Sequence, residues 1–318
     1  MIRAAATPYA RLAVPAVVVV VALAVGACGN SATATTTTTT TTTTTKRPTA
    51  GPEAGVTSHY GSAVGRPDQP ATLAAEAATR DFAVQVQDAT AAFVTSVGAL
   101  QADLGRGDVA TARSDELDAQ ADYDAFRDLE RGNSVNASSL DELDTDVASG
   151  ETFGGLHAVE RDLWTGGSAA TDAAALGAQA PVAQHLLSHL RLGPEAIGSV
   201  AIDQLDWVVD VALPSSQEHT SHLGLVDVAA SVDAAARAMG VLAPLGRLVA
   251  PGLTAAATAD FTELQADVAS LGPPRTTPDT SVSPADRLAL SRRLDATAST
   301  LARLDARLAP YGTAGATS

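Results

Sequence analysis

Apolar residues recur every three to four positions through most of this chain, which is a helical period and not the alternation of a strand. From Leu73 to Arg106 the repeat is carried by Phe82, Val86, Ala89, Phe93, Val97 and Leu100. Gly107-Asp108 interrupts it as a turn, and it resumes from Val109 to Arg131. Ser139-x-x-Glu142 has the form of a capping box and predicts a short helix. Leu156, Val159 and Leu163 set the stripe of the next helix, and Gly166-Gly167 falls where its C-cap belongs. Pro181–Leu192, Pro194–Leu213, Gln217–Leu242, Gly246–Leu271 and Pro284–Leu308 complete the predicted helices, with a loop at Gly272–Pro278. Ser283 before Pro284 is a good helix start, an N-cap hydroxyl followed by a proline in the first turn. The fold class read from this pattern is all-α. Long helices on short loops favour antiparallel bundles, two of them packed together with a loose likeness between halves.

The pattern changes at both ends. Arg3 and Arg11 precede an apolar run from Leu12 to Val25, and Val25-Gly26-Ala27-Cys28 closes it with small residues and a cysteine. That run is short for a spanning helix and reads as an export signal over residues 1–27. Cys28 directly after small residues resembles a bacterial lipobox, and as the sole cysteine it has no disulfide partner within the chain. It is therefore expected to be lipidated, anchoring the protein at the outer face of the cytoplasmic membrane or in the cell envelope. Residues 28–69, with threonine at every position from Thr35 to Thr45, read as a tether, residues 70–312 as the helical domain and 313–318 as a tail.

Charge narrows the partners. Thirty-six acidic residues against twenty Lys and Arg give −16, and loss of the signal removes Arg3 and Arg11 as well. Such a surface repels nucleic acid and favours cations.

The candidate chemistry sits on the Leu156–Leu163 stripe. His157 and Glu160 are one helical turn apart, so imidazole and carboxylate share a face, and His-x-x-Glu helices bind metals inside helical bundles. His185 and His189, and His219 and His222, have chelating spacings too. Leu186, Leu187 and Leu190 interleave the first pair, which predicts histidines at the edge of the core. Trp164 and Trp207 are expected to pack. Glu218 also fits a capping box opened by Ser215. The zinc-peptidase helix motif His-Glu-x-x-His is absent from the sequence.

The segment from Phe153 to Trp164, Phe-Gly-Gly-Leu-His-Ala-Val-Glu-Arg-Asp-Leu-Trp, resembles the Gly-Phe-His-x-Ile-Glu-x-x-Leu-Trp signature of imelysin-like proteins, and within them the EfeO/EfeM group of bacterial iron-uptake components. Three weaker stretches match in the family's order. Thr90-x-x-Phe93 with Gly107-Asp108 and Ala112-Arg113 resembles its first hairpin. Ala121–Phe126 resembles its Tyr-Glu helix, and Glu218–His222 through Asp227 its second-half segment. The resemblance implies two four-helix bundles with a cleft and a metal site drawn from His157, Glu160, Asp124, Asp141 and Glu218. Iron is the implied metal, with zinc or copper as alternatives. An iron permease and a haem peroxidase are the implied partners. Departures bear on the site. Arg127 stands where the family has a second Glu, Asp124 is one methylene shorter than the family's Glu, and Val226 replaces a Trp. Arg127 and His222 are thus candidate modifiers of the site. An imelysin-type metallopeptidase, or a scaffold whose site Arg127 has closed, are the alternative expectations.

Overall fold

The computed structural model describes residues 68–132, 139–142, 153–215 and 220–312, and all the secondary structure longer than a single bridge among them is helical. The export segment, Cys28, the threonine run, the 313–318 tail, Glu218 and His219 lie outside the described residues.

Helix α1 spans Gln69–Arg106, with proline in its first turn and Gly107 closing it at φ 72°, a left-handed cap suited to glycine. Asp108 caps α2 (Val109–Asp124) by accepting the Thr111 N–H at 3.1 Å. A single continuous helix to Arg131 is not what forms. The Phe126 N–H turns back to the Tyr123 carbonyl, and α3 restarts at Arg127–Gly132. Aromatic packing accompanies the break: Phe93, Tyr123 and Phe126 pack mutually, with ring centres 5.4–5.9 Å apart. The turn also leaves both Asp124 and Arg127 facing inward.

The short helix expected from Ser139 does not open there. Asp141 instead forms an isolated antiparallel bridge with Gly155, and the Leu156 N–H donates to the Leu140 carbonyl at 2.8 Å. Helix α4 (Gly155–Thr165) follows, ended by Gly166 at φ 80°. Helix α5 begins at Ala170, well before the predicted Pro181, and ends at Ser188. Pro181 lies inside it on the exposed side, where the freed carbonyl of the preceding turn can meet water.

Helix α6 (Pro194–Trp207) widens into one π turn at Val208–Ala212 and runs on as α7 (Leu213–Ser215). Helix α8 starts at Leu225, later than the predicted Gln217, and continues through exposed Pro244 to Val249. The break predicted near residue 243 comes instead at Ala250-Pro251, where α9 (Pro251–Ser270) begins. After the loop, α10 occupies the predicted Pro284–Leu308, its Ser283 cap accepting the Asp286 N–H at 3.1 Å.

Helix α1 packs on α2 and α5, and α4 bridges α2 to α5. Likewise α8 and α10 each pack on both α6 and α9. Helices α1 and α2 also touch α8, and one apolar core runs through residues of both groups, from Phe82 and Val97 to Val232, Leu264 and Leu301. His185 and His189 are exposed, contrary to the edge-of-core expectation. The buried positions of α5 are Ala173, Leu176, Ala180, Ala183 and Leu187, and His185 lies midway between the last two, on the far side. No helix of the described residues is long and apolar enough to cross a membrane.

Candidate functional site

Three of the helices and one bridge bring polar side chains into the interior beside α2. Along α2 the buried polar positions are Glu116, Gln120 and Asp124, spaced by four so that they share one face. Helix α4 presents His157 and Glu160, and α8 presents Asp227 and Ser231 from its first turns. The Asp141↔Gly155 bridge fastens the Asp141 segment to the start of α4. Gly155 makes that approach feasible: its φ is 78°, and a Cβ there would lie 2.7 Å from the Leu140 carbonyl carbon.

The outcome is an imidazole between two carboxylates. His157 Nε2 lies 3.0 Å from Asp141 Oδ1, and Nδ1 lies 3.8 Å from Glu160 Oε2. Glu160 also serves the backbone, since its Oε1 accepts the N–H groups of Thr220 at 3.0 Å and Ser221 at 2.5 Å. A carboxylate on a helix is thereby tied to the loop that leads into α8. His157 is 4 % and Glu160 2 % exposed, so the pair is almost wholly buried.

Arg127 settles beside this group and not on the surface. It is fully buried, its Nη1 donates to Asp124 Oδ1 at 2.7 Å, and its Nη2 donates to Gln204 Oε1 at 3.0 Å. The guanidinium carbon sits 3.3 Å from the centre of the Trp207 ring, a cation–π stack. Gln204 closes the circuit by donating to the Asp124 backbone carbonyl at 2.9 Å. Trp207 therefore packs, as the sequence predicts, but against a charge. Gln204, and the stacking of Trp207 on Arg127, are what sequence reasoning misses, because α6 lies far from α2 in sequence. The buried Glu116, Gln120 and Asp124 stripe is visible as a four-residue spacing, a signal the sequence reading leaves unused.

Titration follows the burial. Burial, opposed by Arg127 and helped by Asp141, pushes the Asp124 carboxyl up to about 7. Burial works against the Arg127 charge, yet Asp124 and Asp128 and the more distant Asp141 hold its proton more tightly than usual. The Tyr123 hydroxyl is pushed well up by burial first, then by the charges of Asp141 and Glu130.

The predicted site residues thus divide. His157, Glu160 and Asp141 come together, with Asp124 close enough to feel the charges of His157 and Asp141, but bonded to Arg127. His222 does not join them. It is exposed at φ 60°, and its carbonyl accepts the Asp279 N–H at 2.8 Å. Among the described residues no three of His, Cys, Asp and Glu converge as metal ligands. The chain matches no protein-family model, and a search of curated proteins finds no match.

Proposed function

We propose that this chain is an extracytoplasmic, lipid-anchored cation-binding protein of the imelysin-like EfeO/EfeM type, which holds iron as cargo for a membrane permease working beside a haem peroxidase. The observation that carries the reading is the buried His157 imidazole flanked by Asp141 at 3.0 Å and Glu160 at 3.8 Å. One nitrogen and several carboxylate oxygens form a donor set suited to a borderline or hard first-row ion. The proposed ligands are His157, Asp141 and Glu160, with Glu218 implied by the resemblance; Asp141 faces Nε2 and Glu160 faces Nδ1, so a shared ion requires the imidazole or one carboxylate to turn. Asp124, gripped by Arg127, stays out of the set. The two circuits of packed helices, α1, α2, α4 and α5 and then α6, α8, α9 and α10, support an arrangement of two four-helix bundles. Cys28 is the anchor, and its replacement by serine is expected to move the protein from the membrane fraction to the soluble fraction.

Calorimetric titration of the full chain with ferrous and ferric iron, and with zinc, tests the reading. The native protein is expected to bind one equivalent of iron, and His157→Ala and Glu160→Ala each to weaken that binding at least about tenfold, the scale on which metal-site neighbours act. Equal weak binding by all three proteins overturns it.

A second reading is favoured by one observation, the fully buried Arg127. An internal guanidinium can supply the positive charge that a metal would otherwise bring, leaving a scaffold with a closed site. An Arg127→Gln protein that gains metal affinity absent from the native chain would favour this reading.

A further inference from the structure

The histidines of α5 lie outside the buried cluster and have no part in it. His185 and His189 are one turn apart, both exposed, on the face opposite Ala183 and Leu187. His189 is the C-cap of α5 yet keeps near-helical backbone, φ −95° and ψ −2°, so its side chain continues the helical register. The two rings stand edge to face with centres 5.4 Å apart. Two imidazoles sharing one ion at about 2.1 Å per nitrogen hold their ring centres about 5 Å apart, so the helix sets a workable separation, and chelation asks the rings to rotate out of their edge-to-face arrangement until a nitrogen of each points at the ion. Helix spacing tethers the two rings one turn apart, so engagement of the second imidazole is intramolecular.

We propose that His185 and His189 form an exposed two-imidazole site for a late first-row divalent cation, copper(II) most tightly and zinc(II) or nickel(II) less so. The order is the Irving–Williams order, and imidazole nitrogens suit all three ions. Water completes the coordination, so the ion exchanges readily, in contrast to anything held at buried His157. The helix C-terminus adds little to the attraction, because the Arg191 guanidinium already bonds the Ser188 and Leu190 carbonyls at 3.3 and 2.7 Å. The imidazole nitrogens carry the binding.

Copper(II) ions titrated into the full chain, read by electron paramagnetic resonance and calorimetry, test the site. A signal with two equivalent nitrogen couplings is expected, and His185→Ala or His189→Ala each weakens this binding about a hundredfold, the loss of the second, tethered donor. Both substitutions lie on the exposed face, and an unchanged far-ultraviolet dichroism spectrum confirms that the helix persists. His157→Ala leaves the two-nitrogen signal in place, which separates this site from the buried one whatever the fate of the iron proposal. Native copper affinity in either single α5 variant, or loss of the signal only in His157→Ala, overturns the proposal.

Discussion

A buried guanidinium is stable only when its surroundings replace water, and Arg127 has Asp124, Gln204 and the Trp207 face for that purpose. Removing one member strands the other. Arg127→Ala is expected to cost about 3–5 kcal/mol by urea denaturation, whereas replacing Arg127 and Asp124 together by apolar residues of similar volume should cost far less. A double-mutant cycle that is additive would disprove the coupling. Asp124 also sets a pH dependence. Its folded value of about 7 lies above its ordinary 3.8, so the folded chain keeps a proton that the unfolded chain releases. This contribution to stability is full below about pH 4 and is lost as pH rises through about 7, with a slope of at most about 1.4 kcal/mol per pH unit. Denaturation midpoints measured from pH 4 to 8 should show the decline, and Asp124→Asn should flatten it. At this scale His157 and Glu160 are legible in the sequence, because one helical turn joins them. The environment of Arg127 is not, since Gln204 and Trp207 reach it from α6 through tertiary packing alone.

Among the elements, α1, α4 and α10 follow their sequence signals closely because caps bound them: Gly107, Gly166 and Ser283 act where their chemistry predicts. Two of the errors share a cause. Prolines 181 and 244 read as helix starts or breaks, yet both ride on exposed faces where a missing N–H costs least. The break between α2 and α3 has neither proline nor glycine to announce it, only three aromatic rings that meet across the core. Gly155 is the element-scale residue on which the site depends, since it joins the Asp141 segment to α4. Gly155→Ala must strain a φ of 78° and push the Leu140 backbone away. A loss of about 2–4 kcal/mol is expected in thermal or chemical melts, combining the left-handed penalty with the clash. An alanine variant as stable as the native protein would show that the bridge is dispensable.

For the whole molecule, the sharing of one core among helices of both packing circuits predicts joint unfolding. Far- and near-ultraviolet dichroism should trace coincident thermal transitions. Two separated transitions, one for α1, α2, α4 and α5 and one for α6, α8, α9 and α10, would contradict it. The all-α class was legible from periodicity, whereas the contact of α1 and α2 with α8 was not, because no local signal encodes which faces meet. The two oxygens of Glu160 have different employment, Oε1 on the Thr220 and Ser221 amides and Oε2 toward His157. Glutamine at this position can keep the first arrangement, since its amide oxygen still accepts both N–H groups, while its amino group replaces the second carboxylate oxygen. Glu160→Gln is therefore a separation-of-function allele: it leaves the loop clasp in place while removing the negative charge and turning the acceptor that faces His157 into a donor. Any phenotype it shares with Glu160→Ala belongs to the chemistry of the site, and any that it lacks belongs to the clasp.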